Sequence, residues 1–326
     1  MSASPASDPS PPSDPRHTPR VAVEPKSGRY ESLELAVTQG GGEVVSIDQA
    51  EALVWADPHA AAQLPDVIAN GPGVRWIGLP FAGIEPFVPY LDDHNANGER
   101  RIWTAAKGVY ATPVAEHALM LGLAGMRGLA TYARAASWSP PQGTNLVGAN
   151  VVIFGAGGIT EALVPMLEPF GCRITVVRRQ VEPVAGVHDV VTLDDRLSVL
   201  ADADLVVLAL ALTSQTKGVI GRAELSAMKP TAWIVNVARG GHIDTDALVD
   251  ALRNESIGGA ALDVTDPEPL PPGHPLWSEP RAIITPHVGN TPEMGIPLLA
   301  DHITDNVRRF AARTALNGVV DIDAGY

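Results

Sequence analysis

Four apolar residues, Val151-Val152-Ile153-Phe154, run straight into Gly155-Ala156-Gly157-Gly158-Ile159-Thr160, and a helix-forming stretch beginning Glu161-Ala162-Leu163 follows. Few folds accept a strand, a glycine turn and a helix in that order. The first two glycines permit a tight turn and the close approach of a pyrophosphate, whose charge the amide end of the helix would meet. Gly155, Gly157, Gly158 and Ile159 are therefore the candidate phosphate-binding residues. Thr160 stands where such a fingerprint carries its third glycine, so its side chain must find room between helix and sheet. A strand-to-helix turn with no ligand is the plainer reading, and the chain downstream argues against it.

Downstream, strand-like runs recur at residues 173–177, 205–208, 233–237, 259–262 and 282–284, with helical stretches in most of the gaps. Six such strands make a doubly wound parallel sheet. Upstream, short β-branched runs at 21–23, 44–46, 52–55 and 74–78 alternate with Ala/Leu-rich stretches and predict a second, smaller α/β domain. Thr112-Pro113 reads as the N-cap and first-turn proline of an almost wholly apolar helix ending near Met126, expected to cross between domains or lie at a subunit interface. Thr291-Pro292 repeats that signal before a helix through about Ala312, which would return to the first domain and make it discontinuous. The expected division is a disordered tail at 1–19, a substrate domain of 20–112 and 293–326, and a dinucleotide-binding domain of 113–292. Residues 1–19 carry six prolines and five serines, too little apolar surface to offset the entropy of ordering.

Composition narrows the partners. Of 326 residues, 23 are Lys or Arg and 37 Asp or Glu, and the net charge of −14 would repel a nucleic acid backbone. Cys172 is the single cysteine, which excludes an intramolecular disulfide and fits a reducing compartment. No apolar run approaches the ~20 residues that span a bilayer, and the proline-rich start lacks the apolar block of a signal peptide, so a cytoplasmic location is expected. The nine histidines show no HxxxH pair, so no metal site is expected. His117 and His274 read as structural or surface residues.

The residues that carry chemistry end successive strands. After the second strand of the series stand Arg178 and Arg179, where an acidic residue would hold the ribose hydroxyls of NAD; two guanidiniums suit a 2′-phosphate and favour NADP. Val237 closes the fourth strand beside the expected cofactor. Arg239 follows it, before two glycines, and its guanidinium can grip a carboxylate. Asp263 ends the fifth strand, Glu268 sits in the proline-stiffened Asp266-Pro267-Glu268-Pro269, and His287 follows the sixth in Thr285-Pro286-His287-Val288-Gly289. Each is a weak signal alone. Together they divide a hydride-transfer reaction among a substrate grip, a proton-exchanging imidazole and a carboxylate that orients it and favours its charged form.

From the glycine turn to the histidine motif the chain resembles the D-isomer-specific 2-hydroxyacid dehydrogenases, either glyoxylate/hydroxypyruvate reductase-like or phosphoglycerate dehydrogenase-like. Leu146-Val147-Gly148, the stretch from Leu210 through Thr216-Lys217-Gly218, Met228-Lys229-Pro230 and the motifs around Arg239, Asp263, Glu268 and His287 all have counterparts there. Residues 112–121 resemble the family's interdomain helix, and Ala82-Gly83-Ile84 its substrate-carboxylate loop. The resemblance implies a Rossmann cofactor domain with a smaller, discontinuous flavodoxin-like substrate domain. It also implies Arg239 on the substrate, Glu268 and His287 as the acid–base pair, amides near Ala82 and Gly83 on the substrate carboxylate, and Asp263 on the nicotinamide amide. Thr160, Ala211 in place of a usual proline, and Arg178 in place of the usual aspartate depart from the pattern; the last resembles the NADP-preferring reductases.

Phosphoglycerate dehydrogenases of the family meet the substrate phosphate with basic side chains, where this chain has Trp55-Ala56-Asp57 and Leu79-Pro80-Phe81. A small unphosphorylated 2-oxo acid is therefore the favoured substrate, with phosphoglycerate the alternative. Family formate dehydrogenases have glutamine at the place of Glu268. A dinucleotide-sensing corepressor, binding partners without turnover, is the reading from another class. The apolar helix after Thr112 makes a homodimer the expected assembly.

Overall fold

The computed structural model describes residues 17–26, 28–91 and 101–321; most of the segment expected to be a disordered tail, residues 1–16, lies outside the described residues. The chain divides into two compact units, one made of residues up to Ala106 together with Leu299–Ile322, the other built on Lys107–Leu298. The divisions fall at 106 and 298 instead of 112 and 292.

In the first unit, β1 (Arg20–Glu24), α1 (Tyr30–Gln39), β2 (Glu43–Val44), β3 (Ala52–Trp55), α2 (Leu64–Ala69), β4 (Trp76–Gly78) and β5 (Ile102–Thr104) follow in order. The five strands are parallel in the order β2-β1-β3-β4-β5, the flavodoxin-like arrangement. Its core gathers Leu53, Trp55, Ile77, Leu79, Phe87 and Trp103, all buried. The loop Leu79–Gly83 leaves β4 at the carboxyl edge of the sheet, where open α/β folds bind ligands.

The second unit opens with α3 (Ala111–Met126) and α4 (Leu129–Arg134). Then come β6 (Asn150–Phe154), α5 (Gly158–Leu167), β7 (Arg173–Val177), β8 (Asp189–Val191), α6 (Arg196–Ala201), β9 (Leu205–Leu208) and α7 (Arg222–Ala227). The series closes with β10 (Trp233–Asn236), α8 (Thr245–Arg253), β11 (Gly259–Leu262), α9 (Pro275–Ser278) and β12 (Ala282–Ile284), before α10 (Pro292–Ala312). Seven parallel strands lie in the order β12-β11-β10-β9-β6-β7-β8, so successive strands are added to one side of β6 and then, from β9 on, to the other. That reversal makes the crevice in which doubly wound sheets hold dinucleotides.

Alternating strand residues enter two cores. Val152, Phe154, Val206, Leu208 and Ile234 pack into one, while Val151, Ile153, Leu205, Val207 and Val235 pack into the other. Both faces are therefore covered, which explains why the strands read as unbroken apolar runs instead of alternating ones. Thr112 is not an N-cap: α3 starts at Ala111 after Tyr110, and Pro113 falls within the first turn, where its missing N–H removes no helical bond. Thr291-Pro292 does open α10.

Candidate functional site

The glycine turn leaves β6 and enters α5 at Gly158, three residues before the expected start. Gly155 has φ +103°, and a Cβ there would lie 2.3 Å from the carbonyl oxygen of Ala209, so both conformation and space demand glycine. A Cβ on Gly157 would meet nothing within 4 Å, which leaves open room in front of the first helical amides, those of Gly158 and Ile159. Thr160 is fully buried, and its hydroxyl donates to the Gly155 carbonyl at 2.9 Å. The hydroxyl thus satisfies itself on the turn it might have distorted, and the cradle still fits a pyrophosphate.

Arg178 and Arg179 follow β7, the next strand outward. The Arg178 amide is anchored on Val191 at 2.9 Å, and its half-buried guanidinium rests 3.4 Å from Glu182. So loose an ion pair, with its Glu182 partner largely exposed, is worth little and would yield to a phosphate. Arg179 is exposed. The residues present therefore fit a dinucleotide, with two cations placed at the end of the second strand.

On the opposite side of the reversal, β10, β11 and β12 are adjacent, and the predicted chemistry sits at their carboxyl ends. Val237 is buried after β10, with its amide on Leu208 at 3.4 Å. Arg239 is half-buried; its Nη1 donates to the Ala238 carbonyl at 2.7 Å, and its own carbonyl accepts from Asn236 at 2.8 Å. Gly240 ties this loop to the next strand's loop, since a Cβ there would lie 2.0 Å from the backbone of Thr265.

Glu268 and His287 meet directly: Nδ1 of His287 lies 2.7 Å from Oε1 of Glu268. Both side chains are about half exposed, 52% and 42%. With the proton on Nδ1, donated to the carboxylate, Nε2 is the nitrogen left to exchange a proton with a substrate. His287 holds φ +54°, a left-handed conformation uncommon for a residue with a side chain.

Asp263 is buried behind that loop. Burial alone would raise its pKa, but hydrogen bonds from His117, Thr285 and the amides of Val288 and Gly289 outweigh it and hold the carboxyl down at about 2. It is an ionised group at any physiological pH. His117, which the sequence suggested was structural or at the surface, reaches this carboxylate from α3, at 3.2 Å. Sequence pattern gives neither His117 nor Thr285 a role beside this carboxylate, because the partners that hold them there lie 22 to 168 residues away in the chain.

Ala82 and Gly83 belong to the first unit, after β4. Ala82 is exposed and Gly83 half-buried. Arg29, at the start of α1, lies over the Phe81 ring, 5.0 Å from its centroid, so a cation that the sequence had not suggested stands beside this loop. Among the described residues no cluster of three or more His, Cys, Asp or Glu could hold a metal ion, and no helix is long and apolar enough to cross a membrane.

Residues 117–289 match the family model of the D-isomer specific 2-hydroxyacid dehydrogenase NAD binding domain. A Corynebacterium melassecola protein described as the uncharacterized protein in the proB 3′ region is 39% identical over 299 residues, 89% of this chain and 95% of that protein. Mouse glyoxylate reductase/hydroxypyruvate reductase is 32% identical over 231 residues, 68% of this chain and 69% of that protein. The NADPH-dependent glyoxylate/hydroxypyruvate reductase from Sinorhizobium meliloti, solved with NADP and sulfate, superposes with a TM-score of 0.78 at 23% identity, covering 95% of this chain and all of that one (100%).

Proposed function

The chain belongs to the D-isomer-specific 2-hydroxyacid dehydrogenase family, and from that premise we propose that it interconverts a small unphosphorylated 2-oxo acid, such as glyoxylate or hydroxypyruvate, and its hydroxy acid, with NADP favoured over NAD. Oxidoreduction of a 2-hydroxy acid with NAD(P) is the family's chemistry. The observation that carries the acid–base part of this reading is the 2.7 Å contact between His287 and Glu268 after β11 and β12, in the sheet whose β6 carries the glycine turn, while the cofactor preference rests on Arg178 and Arg179.

Gly155, Gly157, Gly158 and Ile159 would hold the pyrophosphate, Arg178 and Arg179 the 2′-phosphate, and Val237 and Asp263 would stand near the nicotinamide. When bound, the reduced nicotinamide supplies a hydride to the carbonyl carbon. Arg239 holds the substrate carboxylate and polarises the carbonyl, assisted by the amides of Ala82 and Gly83. His287 delivers a proton from Nε2 to the developing alkoxide, and in the reverse direction takes it back. Glu268 accepts the Nδ1–H and fixes the orientation of the ring. The exposed apolar flank of α3 further supports action as a homodimer.

Arg29 beside Phe81 keeps a second substrate reading in view, since a cation at that loop would suit a phosphorylated acid. A panel of glyoxylate, hydroxypyruvate and 3-phosphohydroxypyruvate, each assayed with NADPH and NADH, separates the two. We expect the highest kcat/KM for an unphosphorylated acid with NADPH; a preference for the phosphorylated acid or for NADH would overturn the corresponding half of the proposal.

A further inference from the structure

Three consecutive backbone amides close on one aspartate. His287 donates its N–H to the Asp263 carbonyl at 2.8 Å, Val288 to Oδ1 at 2.9 Å, and Gly289 to Oδ2 at 2.9 Å. Oδ1 also accepts the Thr285 hydroxyl at 2.6 Å and Nε2 of His117 at 3.2 Å. That same Nε2 lies 3.0 Å from the Thr285 oxygen, so one imidazole N–H is shared between the hydroxyl and the carboxylate.

All but one of these groups come from the strand ends themselves. His117 is the exception: it projects from α3, with its side chain only 13% exposed. Gly289 packs on the same helix face, since a Cβ there would lie 3.0 Å from Asp263 Oδ2, 3.6 Å from His117 Cδ2 and 3.7 Å from Val114 Cγ2. Such a network matters because His287 holds its left-handed backbone only where surrounding bonds over-determine it. Removing the imidazole strips Thr285 of its donor and leaves the carboxylate tied only to its own loops.

We infer that His117 is a positioning residue for His287: its Nε2–H locks the Thr285–Asp263 pair, which sets the backbone of residues 287–289 and with it the direction of the reacting imidazole. The inference rests on the acid–base role proposed for His287. Small displacements of a reacting group are costly in rate, so the expected loss is about tenfold or more in kcat.

The test compares His117→Ala and His117→Gln in the full chain, the second retaining an N–H donor of similar reach, with Gly289→Ala disturbing the same contact from the loop side. For each variant kcat and KM with glyoxylate and NADPH are measured, NADPH affinity by fluorescence, and amide hydrogen exchange at residues 287–289. His117→Ala should lower kcat about tenfold with NADPH affinity within twofold of wild type, and should speed exchange at 287–289; His117→Gln should recover much of both. Unchanged exchange and kcat in His117→Ala, or equal losses in Ala and Gln variants, would overturn the inference. Faster exchange in a chain whose wild type turns over no 2-oxo acid would uphold the tether and overturn the proposed function instead.

Discussion

At the scale of single residues, the most heavily bonded ionisable group near the dyad is Asp263, held at about 2 against an ordinary 3.8. A carboxyl whose folded pKa is depressed contributes stability that is fully present above the unfolded value and lost as pH falls through the folded one. The window here is from about pH 4 down to about pH 2. The size is about 2 kcal/mol from the linkage between pKa and stability. Urea unfolding should therefore show Asp263→Asn less stable than wild type by about 2 kcal/mol at pH 7, with the gap closing as pH drops from 4 toward 2. A gap that stays constant over that range would show that the carboxylate's charge is not what the network holds. Arg239, Asp263 and His287 could be found in the sequence because each closely follows a strand-like run, and Glu268 because a proline stands on either side of it. His117 could not, since it lies 168 residues from its partner Thr285 on a helix that reads as uniformly apolar.

At the scale of elements, strands with both faces buried announced themselves by composition, and six of the seven in the second sheet were legible for that reason. The seventh, β8, is an edge strand of three partly exposed residues opening on Asp189, and it lacks the apolar run that marks the others. β5 escaped for the same cause, being three residues long and beginning on an exposed isoleucine. The glycine turn was legible as a phosphate cradle, but the fate of Thr160 was not. Only the folded turn shows that its hydroxyl finds the Gly155 carbonyl, a bond that requires α5 to begin at Gly158 and bring residue 160 back over the turn. Thr-Pro is an unreliable start signal: at Thr112 the helix already begins one residue earlier, at Ala111, whereas at Thr291 it begins on the proline itself.

At the scale of the whole molecule, α3 and its neighbours leave apolar surface uncovered: Met120 is 44% exposed, Leu129 55%, Val147 70% and Trp138 fully exposed at 101%. Leu119, Met120, Leu123 and Leu129 line one shallow groove there. An apolar groove of this kind suits an interaction face, and a second copy of the chain is the occupant proposed for it. Sedimentation should give a dimer for wild type and a monomer for Met120→Asp; a monomeric wild type would contradict the assembly. Whether one imidazole held by one carboxylate exchanges the proton in this reaction is decided by stopped-flow NADPH oxidation with glyoxylate in His287→Ala. With His287 as the general acid, kcat should fall by about a hundredfold or more while NADPH binding is retained, in line with the usual contribution of such a group. Turnover at the wild-type rate in that variant would contradict it.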